Sequence, residues 1–87
     1  MMLTNEYQPI NCDDYDNLEL ACQKQLTLAL ALKDGEQLKA KAIDMLLRKK
    51  VEYLVVDLSG EIRELRLDHI ASFSHPELGT VVVSESD

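Results

Sequence analysis

Length, composition and charge limit what this sequence can be. Its 87 residues suffice for one small domain, and 46% hydrophobic with 29% charged residues is typical of a soluble globular chain. No apolar run approaches the ~20 residues that span a bilayer, and the opening MMLTNEYQP lacks the regions of a signal peptide, so we expect a cytoplasmic protein without membrane association. The net charge of −7 disfavours general nucleic-acid binding and favours a basic partner.

The acidic charge is concentrated near the N-terminus. Residues 1–23 contain five acidic residues and no Lys or Arg, a balance of −5, whereas residues 24–87 contain eleven acids and nine bases, a balance of −2. The stretch INCDDYDNLELAC contains four of these acids: Asp13, Asp14, Asp16 and Glu19. Catalysis, metal binding, helix capping and display to a basic partner would each concentrate carboxylates in this way.

The cysteines and histidines bear on metal binding. If the segment between Cys12 and Cys22 is helical, their Cα atoms lie ~15 Å apart, against the ~5.5 Å that a disulfide needs, so we expect free thiols. With His69 and His75 they could supply four metal ligands, but the C-x-x-C and H-x-x-x-H spacings that preorganise zinc are absent. We expect no metal ion and no other cofactor.

The first predicted element is a helix over residues 13–24. It follows a predicted N-terminal arm over residues 1–11, whose extended part ends at Pro9. Asp13 or Asp14 is a suitable N-cap, because its side-chain oxygens can accept hydrogen bonds from the first-turn amides. One face of the helical wheel is formed by Tyr15, Leu18, Ala21 and Cys22. The opposite face contains Asp13, Asp16, Glu19, Gln23 and, among the acids, Leu20. Capping and a solvated face explain single acids, yet exposed helix faces usually mix both signs of charge.

The apolar period changes to two after Gln25. Apolar side chains alternate over residues 26–33, which predicts a strand, although Leu and Ala are poor strand formers and a helix remains an alternative there. Asp34-Gly35 suits a type I′ turn, and the alternation resumes over residues 38–42. Together these features favour a hairpin of two antiparallel strands.

Three further strands are predicted over residues 51–58, 61–68 and 80–84. The first, VEYLVVDL, is the strongest by composition and follows a short basic connection at residues 48–50. Ser59-Gly60 then turns the chain back. In the next strand Ile62 is out of phase with the following leucines, which predicts a bulge or a strong bend near Arg63-Glu64. The segment SFSHPELG is predicted to be a loop.

One helix followed by about five short strands predicts a mainly β fold. No connection is long enough for a parallel crossover, and such a sheet hides its edges best by curling into a small antiparallel barrel with the helix over an open end. There are no internal repeats and no linker. We expect residues 1–87 to form a single domain, with the barrel over residues 25–84.

No catalytic constellation is evident. The three glycines each lie in a predicted turn, so there is no phosphate-binding loop, and no serine lies in a G-x-S-x-G elbow. His69 and His75 are at the ends of predicted elements, where surface and capping roles are common. We expect a protein that is not an enzyme.

Several parts of the sequence resemble one known family. YQPINCDDYDNLELACQ, LKDGE, KVEYLVVD, RELRLD and SFSHPELGTVVVSES occur in the order and with the spacing of the small bacterial Rho-binding antiterminators, which inhibit Rho-dependent transcription termination. The resemblance extends from about Tyr7 to Ser86. It implies an Sm-like or SH3-like barrel with an N-terminal helix, and a monomer that binds the N-terminal RNA-binding domain of the Rho hexamer and keeps RNA from its primary site.

The resemblance gives the acidic stretch a role, because a site that holds phosphates should be basic and would attract carboxylates in their place. The predicted contact residues are Asp13, Asp14, Tyr15, Asp16, Asn17, Glu19 and Leu20. Proximity in a small barrel adds Arg48, Lys49, Lys50 and Glu52 as further predicted contacts. The alternative is an Sm-like RNA-binding module, but aromatic residues for base stacking are scarce and the bases are interleaved with acids.

Overall fold

The computed structural model describes residues 7–85, so residues 1–6 of the predicted N-terminal arm lie outside the described residues. Over this range the chain forms one α-helix, six β-strands and one short 3-10 turn. The helical elements are α1 (Cys12–Lys24) and the 3-10 turn (Leu67–His69). The strands are β1 (Thr27–Leu32), β2 (Gln37–Arg48), β3 (Val51–Leu58), β4 (Glu61–Arg66), β5 (Ile70–His75) and β6 (Gly79–Val82).

The six strands form one antiparallel sheet in the order β4-β3-β2-β1-β5-β6. The predicted mainly β fold with a single helix is therefore confirmed. The edge strands β4 and β6 do not pair with each other over residues 7–85, so the sheet is open rather than a fully closed barrel.

The core lies between α1 and the inner face of the sheet. Alternation places Leu28 and Leu30 of β1 inward, and α1 contributes Leu18 and Ala21, which are fully buried. Phe73 of β5 is also fully buried. Burying side chains of this size stabilises the fold by about 1.5–3 kcal/mol each. The core thus fixes which face of α1 points outward.

Two strand predictions are wrong. The predicted SFSHPELG loop contains the end of β5, where Ile70 and Phe73 are buried three residues apart and give no alternating signal. β4 pairs with β3 without a register shift, so there is no bulge at Arg63-Glu64, and the out-of-phase Ile62 is simply exposed. The irregularities lie instead in β1 and, between Ala42 and Asp44, in β2.

Two turn predictions are also corrected. Asp34 does not have a positive φ, so the β1–β2 loop is not type I′; the Gly35 amide bonds to the Leu32 carbonyl at 3.0 Å and Gly35 alone is left-handed. The basic connection is a two-residue turn between Arg48 and Val51, and both of its residues, Lys49 and Lys50, have left-handed backbones with φ of 53° and 68°.

Candidate partner-binding surface

Local sequence sets where α1 begins and ends. The N-cap is Asn11, whose side-chain oxygen accepts the Asp13 amide at 2.8 Å, so the predicted caps Asp13 and Asp14 are wrong. Both acids lie in the first turn, where negative charge complements the helix dipole. The helix ends at Lys24, and the C-cap residue Gln25 has a left-handed backbone. The predicted helix over residues 13–24 is otherwise confirmed.

The outward side of α1 is acidic. We call this surface the acidic face and define it by Asp13, Asp16, Glu19 and Leu20, all of which are exposed. At ~100° per residue Leu20 falls between Asp13 and Asp16 on the helix surface. Leu20 is 36% exposed. The acidic face therefore presents an apolar group among carboxylates.

The carboxylates of the acidic face make no ion pair with any residue in 7–85. Four acids elsewhere are ion-paired: Glu64 with Arg48, Glu36 with Arg63, Asp68 with Arg66 and Glu77 with Lys24. Other acids, such as Asp34 and Glu61, are also in no ion pair within residues 7–85. The acidic face differs in that its three carboxylates share one helix surface in a stretch without Lys or Arg, so their negative charge is available to a basic partner.

Asp14 does not belong to the acidic face. Its side chain is only 9% exposed, and its Oδ2 accepts the Ser84 amide at 3.0 Å. The Ser84 hydroxyl lies 3.5 Å from the same oxygen. The two residues are 70 positions apart, so no local signal could have revealed the pair. Asp14 thus fastens the helix to the C-terminal segment.

Tyr15 and Asn17 flank the acidic face and are half-buried. Tyr15 packs against the core and helps to line a groove of about 300 Å³, together with Asp16 and Glu52. Burial, followed by the negative charge of Glu52, raises the pKa of the Tyr15 hydroxyl, which stays protonated near neutrality. The structure therefore brings the predicted residue Glu52 next to the helix.

The N-terminal arm holds Glu52 in this position. The Tyr7 hydroxyl donates to Glu52 Oε1 at 2.9 Å, and the Gln8 amide donates to Asp68 Oδ2 at 3.1 Å. Burial and the Glu52 carboxylate both raise the pKa of Tyr7, which keeps the proton on the donor. Sequence reasoning missed this contact, because Tyr7 and Glu52 are 45 positions apart.

The remaining predicted residues lie at the β2–β3 turn. Arg48 donates two hydrogen bonds to Glu64, at 2.8 and 3.1 Å, and its guanidinium lies 5.5 Å from the centre of the Tyr53 ring. Lys49 and Lys50 are exposed at the tip. The two lysines, unlike Arg48, make no ion pair with the residues that the structure describes. We call Lys49 and Lys50 the basic tip.

Three features of residues 7–85 bear on metal binding, thiol reactivity and membrane insertion. Within residues 7–85 no three His, Cys, Asp or Glu side chains are grouped to hold a metal ion. Cys12 and Cys22 are free, and burial followed by the charges of Asp44 and Glu19 raises the pKa of the Cys22 thiol to about 11. The helix found over these residues is too short and too polar to cross a bilayer.

Comparison with known proteins assigns the chain to a family. The family model described as "Modulator of Rho-dependent transcription termination (ROF)" matches residues 9–83, which include α1 and all six strands. The chain is 73% identical over 84 residues to "Protein rof" of Escherichia coli (strain K12) and equally to "Protein rof" of Shigella flexneri, with 97% of this chain and 100% of each relative covered. Its fold is similar to that of "YaeO bound to Magnesium" from Vibrio cholerae O395, with a TM-score of 0.70, 27% identity, and coverage of 78% of this chain and 95% of that one. The chain belongs to the family of modulators of Rho-dependent transcription termination.

Proposed function

We propose that this protein inhibits Rho-dependent termination by binding the N-terminal RNA-binding domain of Rho and competing with RNA for the primary site. The observation that carries the proposal is the acidic face, whose three carboxylates have no ion-pair partner in residues 7–85. A site that binds the phosphates of RNA must be basic, and unpaired carboxylates on a rigid helix are complementary to it.

Leu20 and Tyr15 provide the apolar contact area that the carboxylates lack. Exposed charge pairs in water contribute little affinity, whereas apolar and aromatic groups at the centre of an interface contribute most of it. Leu20 lies within the acidic face, and the half-buried Tyr15 and Asn17 border it. We therefore assign the carboxylates to steering and orientation, and Leu20 with Tyr15 to the desolvated contact.

The basic tip and Glu52 form the second part of the proposed interface. Glu52 lies in the same groove as Asp16, so the start of β3, two residues after the basic tip, is adjacent to the helix. A surface with negative and positive regions side by side fits a partner in only one orientation, which gives specificity. Arg48 supports the tip through Glu64 and Tyr53 rather than presenting its charge freely.

The proposal requires no reaction and no cofactor. The protein acts as a monomer in the cytoplasm and does not bind RNA itself, because its net charge of −7 repels phosphates. An Sm-like RNA-binding module would require RNA binding in the absence of Rho. An electrophoretic shift assay with RNA alone separates the two functions.

A competition titration tests the proposal. Purified Rho is saturated with a fluorescent cytidine-rich RNA, and the protein is added at low and at moderate salt. We expect displacement that weakens as salt rises. Asp16→Lys should weaken displacement about tenfold, since reversing one charge near a basic site changes the free energy of binding by roughly 1–2 kcal/mol.

The matched control is Glu61→Lys, which makes the same change in net charge at an exposed position. Glu61 is the first residue of β4 and follows the Ser59-Gly60 turn, at the opposite end of β3 from the basic tip, so its reversal should leave displacement nearly unchanged. Equal losses in the two variants would show that only net charge matters and would remove the acidic face from the mechanism. A folded wild-type protein that displaces no RNA would refute the proposed function.

A further inference from the structure

The C-terminal segment fastens the first turn of α1 from two sides. The Asn11 amide donates to the Ser84 carbonyl at 2.8 Å, and the Ser84 amide donates to the Asp14 carboxylate at 3.0 Å. The residues adjacent to this pair, Ile10 and Glu85, form an antiparallel β-bridge. We call the reciprocal pair of bonds at Ser84 the terminal clasp.

The terminal clasp connects the helix to the sheet. The Val83 amide donates to the Ala71 carbonyl of β5 at 2.9 Å, so the segment is held by the sheet one residue before it reaches the helix. The acidic face begins at Asp13, next to Asp14. Any change in the position of the first turn therefore moves the proposed contact surface.

We propose that Asp14 is a positioning residue, which sets the orientation of the acidic face through the Ser84 amide and does not itself contact the partner. The expected effect on Rho binding rests on the proposed function. The expected effect on the free protein rests only on the hydrogen bond between Ser84 and Asp14. It separates two carboxylates that are adjacent in sequence. Asp13 is exposed to solvent, whereas Asp14 is buried and accepts a hydrogen bond from the Ser84 amide.

Conservative and non-conservative variants distinguish positioning from contact. Asp14→Asn removes the charge but keeps an oxygen that can accept the Ser84 amide, so we expect Rho affinity within about twofold of wild type. Asp14→Ala removes the acceptor, and loss of one hydrogen bond to a charged group should lower affinity about fivefold or more. Its dependence on salt should stay that of wild type, because no charge has left the interface.

Ser84→Pro provides a test that leaves Asp14 intact. Proline has no amide hydrogen, so the variant breaks the terminal clasp from the other side, and we expect it to behave like Asp14→Ala. Hydrogen exchange on the free protein gives a readout without Rho: the Asn11 amide should exchange faster in Asp14→Ala and in Ser84→Pro, but not in Asp14→Asn. Asp13→Asn is the matched control, since it removes one charge from the exposed neighbour and should leave Asn11 protection unchanged.

The outcomes are distinct. Equal loss of affinity in Asp14→Asn and Asp14→Ala, with a reduced salt dependence and no effect of Ser84→Pro, would show that Asp14 is a contact residue and would overturn the inference. If the wild type displaces no RNA, the proposed function fails, but hydrogen exchange on the free protein still tests the role of Asp14 in positioning the helix. Unchanged protection of the Asn11 amide in both Asp14→Ala and Ser84→Pro would then refute that role.

Discussion

Asp68→Ala should destabilise the protein far more than any exposed charge deletion. The carboxylate is 8% exposed and accepts three hydrogen bonds, from Arg66 Nε at 3.0 Å, Arg66 Nη2 at 2.8 Å and the Gln8 amide at 3.1 Å. Breaking a buried ion pair by removing one partner costs about 3–5 kcal/mol, and we take about 3 because Arg66 is partly open to water. At roughly 4–8 °C per kcal/mol for a domain of this size, the midpoint of thermal unfolding should fall by about 12–24 °C.

Glu64→Ala is the matched comparison. Glu64 also accepts two hydrogen bonds from one arginine, Arg48, at 2.8 and 3.1 Å, but the two side chains are 38% and 53% exposed. Surface pairs contribute little because water solvates both separated ions, so this variant should unfold close to wild type. Thermal unfolding followed by circular dichroism, with urea unfolding as a second measure, compares the variants. Equal losses of stability in the two would refute the reasoning that burial, rather than pair geometry, sets the contribution.

Two further predictions concern pH and the basic tip. Burial raises the pKa of Asp68, but hydrogen bonds from Arg66 and from the Gln8 amide outweigh it and hold that pKa below its usual 3.8. The stability that the ionised carboxylate contributes to the fold is therefore complete above about pH 3.8 and is lost as pH falls through the lowered pKa. Urea unfolding between pH 2 and 5 should show this loss in wild type and not in Asp68→Asn; parallel curves would contradict it. Lys50→Gly should stabilise the protein by about 1 kcal/mol, because the left-handed backbone at φ of 68° costs a lysine roughly that much. An unchanged or lower urea midpoint would show that the turn is not strained.

The helix and its faces were predictable because they depend on local periodicity. Leu18 and Ala21 are inward, and Asp13, Asp16 and Leu20 are outward, as the helical wheel requires. The same wheel places Asp14 between Leu18 and Ala21, so its burial was open to prediction, although the acidic stretch was interpreted as one set. Its partner Ser84 was not predictable locally, because it lies 70 positions away.

The strands were predictable where burial alternates, and were missed where it does not. Leu28 and Leu30 in β1 follow the simple pattern. In β2 the register shift between Ala42 and Asp44 changes the phase, so the alternation over residues 38–42 stops although the strand continues to Arg48. That extension carries the chain to the basic tip, and periodicity alone could not have shown it.

The Ile10–Glu85 bridge has a practical consequence for engineering this protein. The chain enters and leaves its described fold at neighbouring points, directly beside the first turn of α1. A fluorescent protein or affinity tag attached directly after Glu85 would lie within a few residues of the first turn of α1 and would crowd the acidic face. The Ser59-Gly60 turn, at the end of β3 farthest from the basic tip, is the better position for a label, or for new termini if the old ones are joined by a short linker.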